Sequence, residues 1–252
     1  MLTIREEQME ELAKVSLKRF EDSMVEHVKE FFPGYYEVLG EPTIRRVVQY
    51  GVDRAETHDF ITERNVCLYI NLMFLLGSNF DEDLQLPWAA SILAEESTTE
   101  PNTRIDELVS ASTEYLDEIA GVDDQHIARA LVNIREVSIE DFSQSSTGNV
   151  GREIIALLQK VWPQKCGRLG DAILRQLIGH GVESMAQYNV TSDRGVALYT
   201  GLTFMLGSGL DSDPQFPWAA TVLNDESIPD QATRVDRLYK ESMAFLDKWL
   251  AR

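Results

Sequence analysis

Residues 72–90 read LMFLLGSNFDEDLQLPWAA, and residues 202–220 read LTFMLGSGLDSDPQFPWAA. Twelve of these nineteen positions are identical, at a constant offset of 130. The same offset joins IRE at 4–6 to IRE at 134–136, ERNVCLY at 63–69 to DRGVALY at 193–199, and TRIDEL at 103–108 to TRVDRL at 233–238. Without a gap, residues 1–122 match 131–252 at 37 of 122 positions, and many of the other pairs exchange one apolar residue for another. The pattern predicts a tandem duplication of a unit of roughly 120 residues. Its bounds are a first unit at 1–122, a linker at 123–130 and a second unit at 131–252.

Each unit reads as helices. Met9, Leu12, Leu17, Phe20, Met24, Val28 and Phe31 recur at spacings near three and four among charged residues, which predicts an amphipathic helix over about 7–31, ending near Pro33-Gly34. Its counterpart is expected at about 138–162. A second helix is expected at about 42–58, with Gly51 inside it allowing a neighbour to come close. A third runs from Thr62 or Glu63 to Leu76, with Thr62 and Ser192 as N-caps and Gly77 and Gly207 as C-caps. Pro87 and Pro217 suit the first position of a short fourth helix. Thr103-Arg-Ile-Asp106 and Thr233-Arg-Val-Asp236 read as capping boxes opening a fifth. No alternating strand pattern competes. The expected fold is all-α, about five helices per unit, the units packed with approximate internal two-fold symmetry through a shared apolar face.

The chain has 252 residues, 42 Asp or Glu against 23 Lys or Arg, and a net charge of −19. Such a balance offers no basic field to recruit phosphates, so neither nucleic acid nor an anionic membrane is an expected partner. The acidity is uneven: net −16 over residues 1–130 and −3 over 131–252. No run of 18 apolar residues occurs, and MLTIREEQMEEL lacks the basic and then apolar character of a signal peptide, so a cytoplasmic location is expected. Cys67 and Cys166 are assigned to packing, and no cofactor is expected.

The repeated loop is the obvious place to look for chemistry. Asp81, Asp83 and Gln85, repeated as Asp211, Asp213 and Gln215, could present oxygens to a cation. An EF-hand starting at Asp81 would put Leu86 at its glycine position and Ile92 at its glutamate position, so that motif is absent. The expected role is an ordered turn aligning the third and fourth helices, with Trp88 and Trp218 as core wedges whose indole N–H groups meet loop carbonyls. Arg64 and Arg194 could clamp an anion but suit ion pairs to the acidic loop at least as well, and Arg104 and Arg234 suit surface salt bridges. The four histidines have no metal-ligand spacing, Cys67 aligns with Ala197, and no Walker loop, HExxH or G-x-S-x-G occurs. A noncatalytic protein is favoured over an enzyme.

IREEQM, FEDSMVEHVKEFFP, YGVDRA and above all LMFLLGSNFD…LPWA resemble segments of uncharacterised bacterial helical proteins found in type VI secretion effector gene neighbourhoods. The resemblance covers most of the first unit and, more weakly, the second, which departs at SSTGNVGREIIALLQKVWP. It implies an adaptor, chaperone or immunity protein. Together with the charge asymmetry, this favours an interaction module that binds a basic effector domain through an acidic helical surface at Glu7, Glu10, Glu26 and Glu30. A second copy of the chain is another admissible partner. The alternative is a helical enzyme or metal-dependent module using the duplicated acidic loops.

Overall fold

The computed structural model describes residues 6–94, 99–137 and 150–251, with the side chains of 6–10 and 13 outside it. Among the described residues the protein is all-helical, with 12 α-helices and no strand. In chain order these are α1 (Glu6–Phe31), α2 (Pro33–Leu39), α3 (Glu41–Glu56), α4 (Glu63–Leu76), α5 (Pro87–Leu93) and α6 (Pro101–Ala120). After a 3-10 turn at Val122–Asp124 follow α7 (Gln125–Arg135), α8 (Val150–Val161), α9 (Pro163–Gln187), α10 (Asp193–Leu206), α11 (Pro217–Leu223) and α12 (Gln231–Leu250). No described helix is long and apolar enough to cross a membrane.

The middle of the molecule is α4 and α10, the two helices that are apolar on nearly every side. α4 buries Val66, Tyr69, Ile70, Leu72, Met73 and Phe74, and α10 buries Val196, Tyr199, Leu202 and Phe204 among others. Thr62 Oγ1 caps α4 by accepting from Asn65 N at 3.3 Å, and Ser192 Oγ caps α10 by accepting from Gly195 N at 3.3 Å. Both helices stop at a glycine of positive φ, 105° at Gly77 and 106° at Gly207, a backbone that an L side chain adopts only with strain. α3 lies so close to α4 that a Cβ on Gly51 would sit 2.6 Å from Ile70 Cγ1 and 2.8 Å from Met73 Sδ. Gly181 of α9 presses in the same way on the Thr200 side chain of α10.

Around this middle, α6 packs on α4 and α5, and α12 packs on α10 and α11. These last helices also cross between the halves, α6 onto α9 and α12 onto α2. Trp162 Nε1 donates to Ile119 O at 2.9 Å, and the Tyr35 and Trp249 rings meet edge to face at 4.9 Å. A single apolar cluster therefore runs from Met24 and Val28 through Phe74 and Phe204 to Leu238.

Several expectations are corrected. α1 does end short of Pro33, but Pro33 then opens a further helix, α2, because proline at a first helical position forfeits no needed N–H. The helix expected at 138–162 is described from Val150 onward, and 138–149 lie outside the described residues. α6 and α12 begin one turn before the expected capping boxes, with Glu100 and Asp230 as N-caps. At α12 the reason is visible: Asp230 Oδ1 accepts from Thr233 N at 2.8 Å, so aspartate rather than threonine satisfies the first free donors. The expected linker at 123–130 holds the left-handed residues Asp123 and Asp124 and then the start of α7.

Candidate functional site

The loops that follow α4 and α10 cross each other. Asp83 Oδ1 accepts from Gln85 N at 2.8 Å within its own loop, while Asp83 Oδ2 accepts from Ser208 N of the other loop at 3.0 Å. Asp213 repeats this with Gln215 N at 2.8 Å and Ser78 N at 2.8 Å. Gln85 Nε2 donates to Thr203 O at 2.9 Å, and Gln215 Nε2 donates to Met73 O at 2.8 Å and Ser78 Oγ at 3.0 Å. All four side chains are at most 5% exposed. The carbonyls they reach, Thr203 O and Met73 O, lie in the last turns of α10 and α4, where each also accepts from the C-cap N–H, that of Gly207 at 2.9 Å and that of Gly77 at 3.0 Å. Room for the crossing comes from the glycines: a Cβ on Gly77 would sit 3.1 Å from Leu206 O, and one on Gly207 would sit 3.2 Å from Asp83 Oδ2. Asn79 lies across Gly209, donating to its carbonyl at 3.3 Å, where a Cβ would collide with the Asn79 side chain.

The outer acid of each loop is held differently. Asp81 is buried against Arg54, which also reaches Glu82 Oε1 at 3.0 Å, and His58 Nε2 lies 3.1 Å from Asp81 Oδ2. Burial works against this carboxylate, but His58, the Arg54 charge and further hydrogen bonds outweigh it, and its pKa falls below the ordinary value. Asp211 instead accepts from the Tyr188 hydroxyl at 2.8 Å. Asp213 goes the other way from Asp81, burial being the largest cause and raising its pKa.

The opposed directions predict an acid dependence. A carboxyl whose folded pKa lies below its unfolded value stabilises the fold above that unfolded value, and this stability is lost as pH falls through the folded pKa. From about pH 5 down to about pH 3, the urea midpoint of the wild type should fall more steeply than that of Asp81→Asn. Comparing the two slopes removes the opposite contribution of Asp213. Parallel slopes would show that Arg54 and His58 do not hold Asp81 ionised.

Chain comparison adds no relative to these observations. The chain matches no family model, no curated protein and no solved structure.

The remaining expected residues scatter. Trp88 and Trp218 are partly buried against the core beside Tyr115 and Phe245, with ring centroids at 6.1 and 5.9 Å. Neither indole N–H meets a partner among the described residues, so no bond to a described loop carbonyl is formed. Arg64 and Arg194 pair with Asp106 and Asp236 at 2.7 and 2.6 Å rather than with the acidic loops, because α6 and α12 bring those acids to the starts of α4 and α10. Arg104 is fully buried and Arg234 partly so, against the expected surface salt bridges. Glu26 and Glu30 are exposed on α1, with Glu26 3.8 Å from Lys29, while the side chains of Glu7 and Glu10 lie outside the described residues.

Sequence reading also passes over a buried lysine. Lys165, only 7% exposed, stands in a cavity of about 120 Å³ between the halves, beside Tyr115, Gln85 and Asp83. Burial pulls its amine down to about 8, and Asp83 opposes that shift. Its register partner in the first half is Tyr35, whose hydroxyl burial pushes up to about 12.

Proposed function

We propose that two copies of one helical unit, related by an approximate two-fold, form a noncatalytic body that presents the acidic helix α1 to a basic protein. The duplication draws support from element bounds: α4, α5 and α6 recur as α10, α11 and α12, each displaced by 130 residues. Gly40, which separates α2 from α3 at φ 76°, recurs as Gly170, which kinks α9 at φ 73°. A two-fold contact is reciprocal, residue i of one copy meeting j of the other and j meeting i. The pairs Asp83 with Ser208 and Asp213 with Ser78 have that form, and Asn79 meets Gly209, its own register partner.

The observation that carries the binding role is the exposure of α1. Of residues 11–19, every one whose side chain is described is exposed, including the apolar Leu12 at 59%, Val15 at 48% and Leu17 at 43%. A helical stretch of this length gains little from its own hydrogen bonds, and its stability ordinarily comes from packing an apolar stripe. Leu12 and Val15 share one side of the helix and Leu17 lies about 140° round from Leu12; Lys14, Lys18 and Arg19 stand within this stretch, and the acids Glu21, Asp22, Glu26 and Glu30 follow it. A partner that offers an apolar contact to Leu12 and Val15 and basic residues to the acids from Glu21 to Glu30 complements both features. A secreted bacterial effector domain of that character, met in the cytoplasm by an adaptor, chaperone or immunity protein, fits the resemblance to proteins of type VI secretion neighbourhoods.

Affinity capture from the native cell tests the reading. The expected result is one basic protein, retained at about 50 mM salt and released at about 500 mM. Reversal of Glu7, Glu10, Glu26 and Glu30 to Lys should abolish retention while leaving the melting temperature within a few degrees. Capture that survives both the reversal and high salt would sink the assignment to this face.

A further inference from the structure

The cavity that holds Lys165 adjoins a second one of different character. The first, about 120 Å³, is polar at one end, where Lys165, Tyr115, Gln85 and Asp83 meet beneath the crossed loops. The second, about 240 Å³, is lined by Leu131, Trp218, Met243, Phe245, Leu246 and Trp249. Both share the wall formed by Tyr35, Trp162, Met205, Leu206 and Phe216, and Leu75, 43% exposed, lies at the rim of each. A small-ligand pocket is largely apolar with a few placed polar groups, and usually occupies roughly 300–1,000 Å³.

The polar end is incomplete. An ammonium has three donors, and among the described residues Lys165 Nζ makes one hydrogen bond, to Phe204 O at 2.6 Å. No carboxylate pairs with it among the described residues, and its other close neighbours are the Trp162 and Phe204 rings at 5.2 and 5.0 Å. The nearby Asp83 carboxylate is already bound to Ser208 N and Gln85 N. Tyr115, 3% exposed, has a hydroxyl with no partner among the described residues. A buried cation with one acceptor for three donors and a buried hydroxyl with none among the described residues are costly, and a ligand that supplies two acceptor oxygens relieves both.

We propose that the two cavities form one binding site for a straight-chain aliphatic monocarboxylate, its head between Lys165 Nζ and Tyr115 Oη and its chain against Trp218, Phe245 and Leu246. The chemistry selects each part. The amine calls for an anion, the two donors match the two oxygens of one carboxylate, and the adjoining walls are aliphatic and aromatic. Tyr35 stands at the register position of Lys165, so the site is one-sided and takes a single ligand. It is separate from the acidic face of α1 and stands whether or not that face binds a protein.

Trp162, Trp218 and Trp249 line the apolar cavity, so intrinsic fluorescence reports its occupation. Decanoate and decanol, titrated against the full chain, share a tail and differ in the head. The expected result is saturable quenching by both, with decanoate about tenfold tighter, the size of one charge-assisted contact. Lys165→Met keeps most of the volume and should erase that preference while leaving decanol binding within about twofold. Met243→Trp should weaken both ligands by filling the tail space. Equal affinity for the two ligands in the wild type, a preference that survives Lys165→Met, or no quenching by decanoate up to about 1 mM would each overturn the proposal. If Lys165→Met fails to fold, the wild-type ratio of the two ligands decides alone.

Discussion

Asp83→Ala and Asp213→Ala should each lower the stability of the protein by about 2–4 kcal/mol, read as a fall in the urea midpoint. Each substitution strands two buried N–H groups, those of Ser208 and Gln85 in the first case and those of Ser78 and Gln215 in the second. A buried donor left without an acceptor costs about 1–3 kcal/mol, whereas the bond itself contributes only about 1 kcal/mol net. The loss is a large share of a total that is about 5–15 kcal/mol for most domains. The double variant should lose less than the sum of the two, by about 0.5–3 kcal/mol, because opening one bond of the crossing frees the glycine loop that presents the other donor. Strict additivity would show that the two bonds hold independently. Asp211→Ala is the internal control: its carboxylate accepts from Tyr188 at a partly exposed position where water replaces the bond, and the loss should stay near 1 kcal/mol.

What was legible in the sequence follows the reach of the chemistry. Thr62, Ser192, Gly77, Gly207, Pro87 and Pro217 act on backbone groups within four residues of themselves, so local spacing was enough to place the ends of α4, α5, α10 and α11. Asp83 and Asp213 look alike in sequence and resemble cation ligands, since their true partners lie 125 and 135 residues away. The matching offset of the two loops identified a shared feature without saying that the loops bind each other. Arg54 escaped notice for the same reason, being 27 residues from Asp81. Lys165 lay beyond local reading because a lysine after Pro163 fits the outside of a first helical turn, and it is α6 and α10 packing on α9, with the loop after α4, that enclose it. Arg104 was misplaced because charge in a first turn ordinarily faces water, whereas the start of α6 is covered by the segment after α3.

Arg104→Ala should be the most damaging single substitution, at about 3–5 kcal/mol. The side chain is fully buried, its Nη2 donates to His58 O at 2.8 Å, and its guanidinium lies 5.1 Å from the centre of the Phe60 ring. Alanine removes the packed stem and strands the His58 carbonyl. Arg104→Met keeps the stem and should recover about half of the loss, separating packing from hydrogen bonding. At the matching position, Arg234 donates to Val222 O and Leu223 O at 2.9 and 2.6 Å, closing the end of α11 from a less buried site. Water can take over there, so Arg234→Ala should cost only about 1–2 kcal/mol. The damage at Arg104 should also carry further, because the residue it holds bears the ring placed 3.1 Å from Asp81. If α6 fixes His58 through Arg104, the steep acid dependence attributed to Asp81 should flatten in Arg104→Met as it does in Asp81→Asn. An unchanged acid slope in Arg104→Met would confine Arg104 to packing and show that His58 keeps its place beside Asp81 without it.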